Sequence, residues 1–380
     1  MDFTRTEAQD DLAGLTRDIC EKLSTPDRQQ ELDEVPGRFD SALHAALADA
    51  GILSAAVPAP AGGGFSILEQ TAVLRELGRA LAGTPYLPSI VMAADALATY
   101  GSPAHVELAC RAADGETILT AALEESLTAD PSAPATTATR SADGGHWVLS
   151  GGKTAVPFAD ECEAMLVPAT LVGADRDQGP VGVFVVPATE VRITRQDGTD
   201  HSSLAAVDLE AVTVPDGARL GAVDGPGPDA DGQAVLTRIL QHGTVGLCAQ
   251  QFGVLERSLE LTAEYARERE QFDRPIGSFQ AVAQRLADAF IDVKAARLTF
   301  EQAAWRLAEG LDADDAVRIA KFWAADAGHR VAHTTVHVHG GVGLDRDHPV
   351  HRYFLAAKTG EFRLGSATAQ LTRIGAQIAG

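Results

Sequence analysis

The chain is poor in the residue types that would cross-link it or seat it in a membrane. Cysteine occurs four times in 380 residues, at Cys20, Cys110, Cys162 and Cys248, with no Cys-x-x-Cys pair. That spacing argues against a thiolate zinc site and suits a reducing cytoplasm. No run approaches about 18 consecutive apolar residues, so no helical membrane span is expected. The N-terminal Met1-Asp2-Phe3-Thr4-Arg5-Thr6-Glu7 has neither a basic segment nor an apolar stretch. No signal peptide is read there, and a cytoplasmic location is the expectation. Positive charge is scarce too: Lys and Arg total 31 against 53 Asp and Glu, a formal net charge of −22. A polyanion would be repelled, so neither nucleic acid nor an anionic membrane is an expected partner. The acidity is spread along the chain, as on a solvated surface.

What is present is a globular composition, 45% apolar and 22% charged, long enough for two or three domains. Three textures follow one another. From 3 to about 115 the pattern is helical: Leu12, Leu15, Ile19 and Leu23 form one stripe, and Leu68, Val73, Leu74 and Leu77 begin another. A Pro- and Gly-rich loop at 58–64 punctuates it. From about 118 to 220 short strands are predicted. His146-Trp147-Val148-Leu149-Ser150, Gly151-Gly152 and Lys153-Thr154-Ala155-Val156 read as a hairpin with glycines at its turn. Further strands are expected at 164–167, 181–186 and 207–214, with 126–140 as a loop, giving a small β-barrel or sandwich. A Gly- and Pro-rich linker occupies 223–232. Helical texture then returns, and Phe279, Val282, Leu286, Phe290, Val293 and Arg297 predict one packed stripe of a long bundle helix.

Two C-terminal segments carry a resemblance. The first is Arg269-Glu270-Gln271-Phe272-Asp273-Arg274-Pro275-Ile276-Gly277-Ser278-Phe279-Gln280. The second is His337-Val338-His339-Gly340-Gly341-Val342-Gly343-Leu344, followed by His348-Pro349-Val350-His351-Arg352-Tyr353. On the residues alone, Arg267 and Arg269 close a long helix, where cations suit the macrodipole. Pro275 suits the first turn of the next helix. Gly340-Gly341 either caps a helix or lets backbone amides approach a phosphate. Together the segments resemble the signature elements of the acyl-CoA dehydrogenase family. The resemblance implies an α+β fold: an N-terminal helical domain over 1–116, a middle β-barrel domain over 117–224 and a C-terminal four-helix bundle over 225–380. It also implies FAD as cofactor, with Arg269, Phe272, Gln280, His337, Gly340 and Gly341 reaching across an interface to a neighbour's FAD.

Family chemistry removes the α-proton of an acyl-CoA thioester with a carboxylate base while a hydride passes from the β-carbon to the flavin. The weakly acidic α-carbon demands a positioned base in a dry pocket. The resemblance places that base at Leu364 or, in a minority arrangement, at Gly243, and neither residue can accept a proton. Glu361 matches a different, non-catalytic acid of the family. His242 is a weak substitute candidate, since a lone helical histidine is more often structural. The family's flavin-contacting loops are replaced by Leu123-Glu124-Glu125-Ser126-Leu127-Thr128-Ala129-Asp130 and Ala155-Val156-Pro157. Elements serving this chain's own flavin have eroded, while those serving a neighbour's remain.

That asymmetry is similar to the base-less subunit of actinobacterial heterotetrameric steroid side-chain dehydrogenases. It implies an α2β2 assembly with a homologous catalytic subunit, a steroid side-chain CoA ester as substrate, and an electron-transfer flavoprotein or similar acceptor. Two alternatives are a self-sufficient homotetrameric dehydrogenase with an atypical base and a non-enzymatic acyl-CoA-binding scaffold. His329, His333 and His337 fall at i, i+4 and i+8 of a helix, but Arg330 stands where a zincin would carry Glu, so no metal is expected.

Overall fold

The computed structural model describes residues 4–126, 130–172, 179–221 and 232–379. Its helices are α1 (Glu7–Leu23), α2 (Pro26–Asp33), α3 (Ser41–Asp49), α4 (Ile52–Ala55), α5 (Ile67–Arg79), α6 (Asp95–Tyr100), α7 (Pro103–Ala113), α8 (Gly232–Glu268), α9 (Gln280–Ala308), α10 (Asp314–His339), α11 (Val350–Phe362) and α12 (Ala367–Ala379). Strands β1 (Leu119–Ala121), β2 (Thr137–Arg140), β3 (His146–Pro157), β4 (Ala164–Val172), β5 (Val181–Pro187), β6 (Arg192–Asp197) and β7 (Ser203–Pro215) lie between α7 and α8, and β8 (Glu270–Gln271) and β9 (Arg274–Pro275) follow α8. The expected helix–strand–helix order is the observed one. The linker at 223–232 falls outside the described residues apart from Gly232, which opens α8.

Two compact units emerge. One comprises Met1–Glu34, Ile67–Ala82 and Thr244–Gly380; the other comprises Val35–Ser66 and Gly83–Gly243. In the first, α10 packs against α9, α11 and α12, while α1 lies on α5. A capping box starts α1: Thr6 Oγ1 accepts from Gln9 N at 3.1 Å, and Gln9 Oε1 accepts from Thr6 N at 2.8 Å. The leucine stripe predicted for α1 is not its buried face. Gln9, Ala13, Thr16 and Cys20 are buried, and Leu15 and Leu23 face out. Polar anchors set this rotation. Arg17 grips both carboxylate oxygens of the buried Glu76 at 3.0 and 3.1 Å, and Gln9 Nε2 donates to the Leu68 carbonyl at 3.2 Å. A buried carboxylate without its fork would cost more than a leucine gains, so the ion pair wins. The stripe on α9 is also divided. Ala289, Val293, Ala296 and Phe300 are buried, whereas Phe290 and Ile291 are 57% and 62% exposed.

In the second unit the sheet runs β1-β4-β2-β3-β7-β6, with β5 on β4. The hairpin expected at 146–156 is absent: β3 is one continuous strand paired along β7. Gly151 marks a bulge instead of a turn, with a register shift between Leu149 and Gly151. Its φ is +151°, and a Cβ there would lie 2.7 Å from Thr136 Oγ1, so a passing chain segment requires glycine. The loop expected at 126–140 ends in β2. Its entry is held by Glu125, which accepts from Ala135 N, Thr136 N and Thr136 Oγ1, and from the fully buried Lys153 at 2.6 Å. Leu149, Val167, Phe184 and Val207 form the core, and the Trp147 indole donates to Asp216 at 2.8 Å.

Three buried histidines in this unit, His44, His105 and His242, link its stability to pH. Burial pushes both His44 and His242 down to about 4 from an ordinary 6.5. Between those limits the unfolded chain binds protons that the folded chain does not. Stability is therefore complete above pH 6.5 and is lost as pH falls toward 4, by about 3 kcal/mol at most per histidine. Urea midpoints at pH 7 and pH 5 should show the fall, and His44→Phe should reduce it. An equal fall in the variant would rule out His44 as a contributor.

Candidate functional site

The Arg269 N–H closes the last turn of α8 on the Tyr265 carbonyl at 2.8 Å, and its side chain is exposed. The next residues form a two-residue hairpin, with Glu270 paired to Pro275 and Gln271 to Arg274. Both turn residues are left-handed, Phe272 at φ 55° and Asp273 at φ 60°. Two positive φ values in sequence match the twist of a tight hairpin. Asp tolerates that region and Phe does not. Phe272 is 86% exposed, edge-on to Phe279 at 6.1 Å, and the Arg274 guanidinium lies 4.1 Å over the Phe279 ring. Pro275 ends β9 and is not in the first turn of α9 as expected, because a 3₁₀ turn over Ile276–Ser278 intervenes. Gln280 is the first residue of α9 and is exposed.

At the second motif, Gly340 caps α10 with φ 62° and ψ −136°, a conformation for glycine, and its N–H bonds the Val336 carbonyl. A Cβ on Gly340 or Gly341 would meet nothing within 4 Å, so both glycines border open space. His337 is exposed. His339 is buried, with Nδ1 2.8 Å from the Thr335 carbonyl and its ring stacked on Tyr265 at 4.4 Å. Tyr265 stands four residues before Arg269, and His339 adjoins Gly340. This stack therefore joins the end of α8 to the end of α10 and brings the two motif segments together. Sequence reasoning includes His339, within the second motif, but misses Tyr265; an aromatic in the last turns of a bundle helix was the available signal.

The two expected base positions, 364 and 243, hold no carboxylate, and the weak substitute candidate is His242. Leu364 follows α11, is buried, and has a left-handed φ of 55°; its carbonyl accepts from Gln370 Nε2 at 3.0 Å. A Cβ on Gly243 would lie 2.3 Å from Met92 Cε, so a side chain there requires Met92 to move. Met92 belongs to a fully buried π-helical segment, Tyr86–Ala94. His242 Nδ1 lies 3.8 Å from Asp95 Oδ1 and has no hydrogen-bond partner among the described residues. Asp95 is taken up by Arg238 at 2.6 and 3.1 Å. With its pKa driven down to about 4 by burial, His242 is a poor proton acceptor near neutrality.

Glu361 is engaged with His329, at 3.3 Å from its Nδ1, and with Lys358. His329 and His333 stand 4.5 Å apart, and no group of three or more potential metal ligands occurs among the described residues. No described helix is long and apolar enough to cross a membrane.

Family models for the acyl-CoA dehydrogenase C-terminal domain and N-terminal domain match residues 230–379 and 6–108. The chain belongs to the acyl-CoA dehydrogenase family. It is 49% identical to acyl-CoA dehydrogenase FadE27 of Mycobacterium tuberculosis, covering 100% of this chain and 99% of that one. Among solved structures it matches the ChsE4-ChsE5 complex from Mycobacterium tuberculosis with a TM-score of 0.91 at 49% identity, covering 100% and 99% of the two chains. It also matches the Tcur3481-Tcur3483 steroid ACAD, with a TM-score of 0.88 at 37% identity and 98% coverage of each.

For an acyl-CoA dehydrogenase chain packed this way, a base at 243 is a steric problem first. Gly243→Glu should destabilise the chain by about 1–3 kcal/mol through overpacking. Adding Met92→Ala should recover most of that in thermal unfolding. No recovery would mean that Met92 is not what excludes the side chain.

Proposed function

We propose that this acyl-CoA dehydrogenase chain is the base-less half of a heteromeric desaturase that completes the FAD site of a homologous catalytic partner. The carrying observation is a contrast between two left-handed residues. Leu364, at the expected base position, is an inert side chain turned into the protein. Phe272, one of the expected flavin contacts, is turned out.

The surface chemistry fits the cofactor. Arg269 offers a planar fork suited to a pyrophosphate, and the open backbone at Gly340-Gly341 admits close approach of a phosphate. His337 and Gln280 supply exposed polar groups, and Phe272 an exposed aromatic face. When bound, FAD supplies the hydride acceptor; these residues bind and orient it and carry no proton. The exposed Phe290, Ile291 and Leu298 of α9 and Leu371 and Ile378 of α12 are apolar surface of the kind that a partner subunit covers.

An α2β2 assembly and a steroid side-chain CoA ester are the finer reading. It is supported by similarity to a two-component complex and to a protein described as a steroid ACAD. An electron-transfer flavoprotein or similar acceptor, a cytoplasmic location and the three-domain division at 116 and 224 belong to the same reading.

The test is a pair of variants, one in the complex co-purified with its partner and one in the chain alone. Arg269→Ala should lower flavin content at least fivefold with assembly intact by size-exclusion chromatography. Leu364→Glu in the chain alone should leave acyl-CoA oxidation undetectable. Unchanged flavin in the first, or activity in the second, contradicts the proposal.

A further inference from the structure

Remote from the motif segments, but inside the same compact unit, a cleft of about 290 Å³ opens between the start of α1, the first half of α5 and the second half of α9. Its floor is apolar, formed by Leu68, Ala72, Phe300 and Ala304, with Trp305 at one side. Three guanidinium groups, Arg5, Arg75 and Arg297, line it as well. In a chain with a net charge of −22, three arginines converging on one small cleft call for a reason.

Their internal partners leave part of this charge available. Arg75 is fixed: Nε and Nη2 hold Glu256 at 3.0 and 2.8 Å, and its guanidinium lies 5.5 Å from the Phe252 ring. Arg297 uses only Nε, on Glu301 at 2.7 Å, and among the described residues its terminal nitrogens have no hydrogen-bond partner. Arg5 donates to the Gln9 carbonyl at 3.2 Å and pairs at 3.3 Å with Asp10, a side chain that is mostly exposed. Burial, and then the nearby Arg75 and Arg297, press the Arg5 pKa below its ordinary value, against the pull of Asp10 and Glu76. Two acids also line the cleft, Glu301 and Glu309. Glu301 is committed to Arg297, and Glu309 is exposed.

We infer that this cleft is a binding site for an amphipathic monocarboxylate, whose headgroup meets Arg5 and Arg297 and whose apolar body lies on Ala72, Phe300 and Ala304. A carboxylate takes two parallel N–H bonds from a guanidinium fork and relieves the repulsion between like charges. An apolar tail removes water from the floor. Neither half alone accounts for both linings. The site is separate from the cofactor surface and stands whether or not that assignment holds.

Isothermal titration of the full-length chain with octanoate, 1-octanol and inorganic phosphate decides the matter. Octanoate should saturate one site, octanol should bind at least tenfold more weakly, and phosphate should neither bind nor compete. Arg297→Gln and Arg5→Gln should each weaken octanoate at least tenfold, with either variant sufficient if the other fails to fold. Octanol binding as tightly as octanoate would reduce the cleft to an apolar crevice. Competition by phosphate would reduce it to an adventitious anion site. Unchanged octanoate binding in a folded variant, or no saturable heat, would remove the site altogether.

Discussion

The turn between β8 and β9 imposes the constraint from which the rest of the functional reading follows. Two residues must reverse the chain between the end of α8 and the approach to α9, and both must be left-handed to match the hairpin twist. Placing a phenylalanine there costs on the order of 1–2 kcal/mol. Nothing in the chain repays that cost by burial, because Phe272 is 86% exposed. Arg269 just before the hairpin, and Phe272 and Arg274 within it, are all exposed, with the Arg274 guanidinium over Phe279. Strain retained on an exposed aromatic makes sense where another molecule covers it.

Leu364 shows the same backbone conformation with the opposite outcome. There the left-handed residue is buried and its carbonyl is tied to Gln370. The unusual backbone persists although the side chain has no chemistry to perform. Gly243 is closed differently, by Met92 occupying the space of a missing side chain. Family membership thus rests on the whole fold, whereas the proposed division of labour rests on which special backbone positions face outward.

Much of this was legible in the sequence, and the misses have physical causes. Both motif segments were found from their resemblance to a known family; the residues alone gave only helix-end signals at Arg269 and Gly340. The stripe of α1 misled because Arg17–Glu76 overrode the leucines, and a buried ion pair leaves no periodic trace. Gly151-Gly152 resembled a turn because a bulge and a turn both need glycine; only the partner strand β7 distinguishes them. The stripe of α9 was read correctly as apolar and wrongly as packed throughout. Hydrophobic periodicity reports that a face is apolar, not what packs against it. The Tyr265–His339 stack joins residues 74 positions apart and left no local mark.

The central claim is that this chain completes a flavin site without owning one. Its most direct measurement is the flavin-to-chain ratio in the chain purified alone and in the complex purified with its homologous partner. The account predicts no bound flavin in the isolated chain, and one flavin for each pair of unlike chains in the complex. One flavin per chain in the isolated protein, with acyl-CoA oxidation, would contradict it.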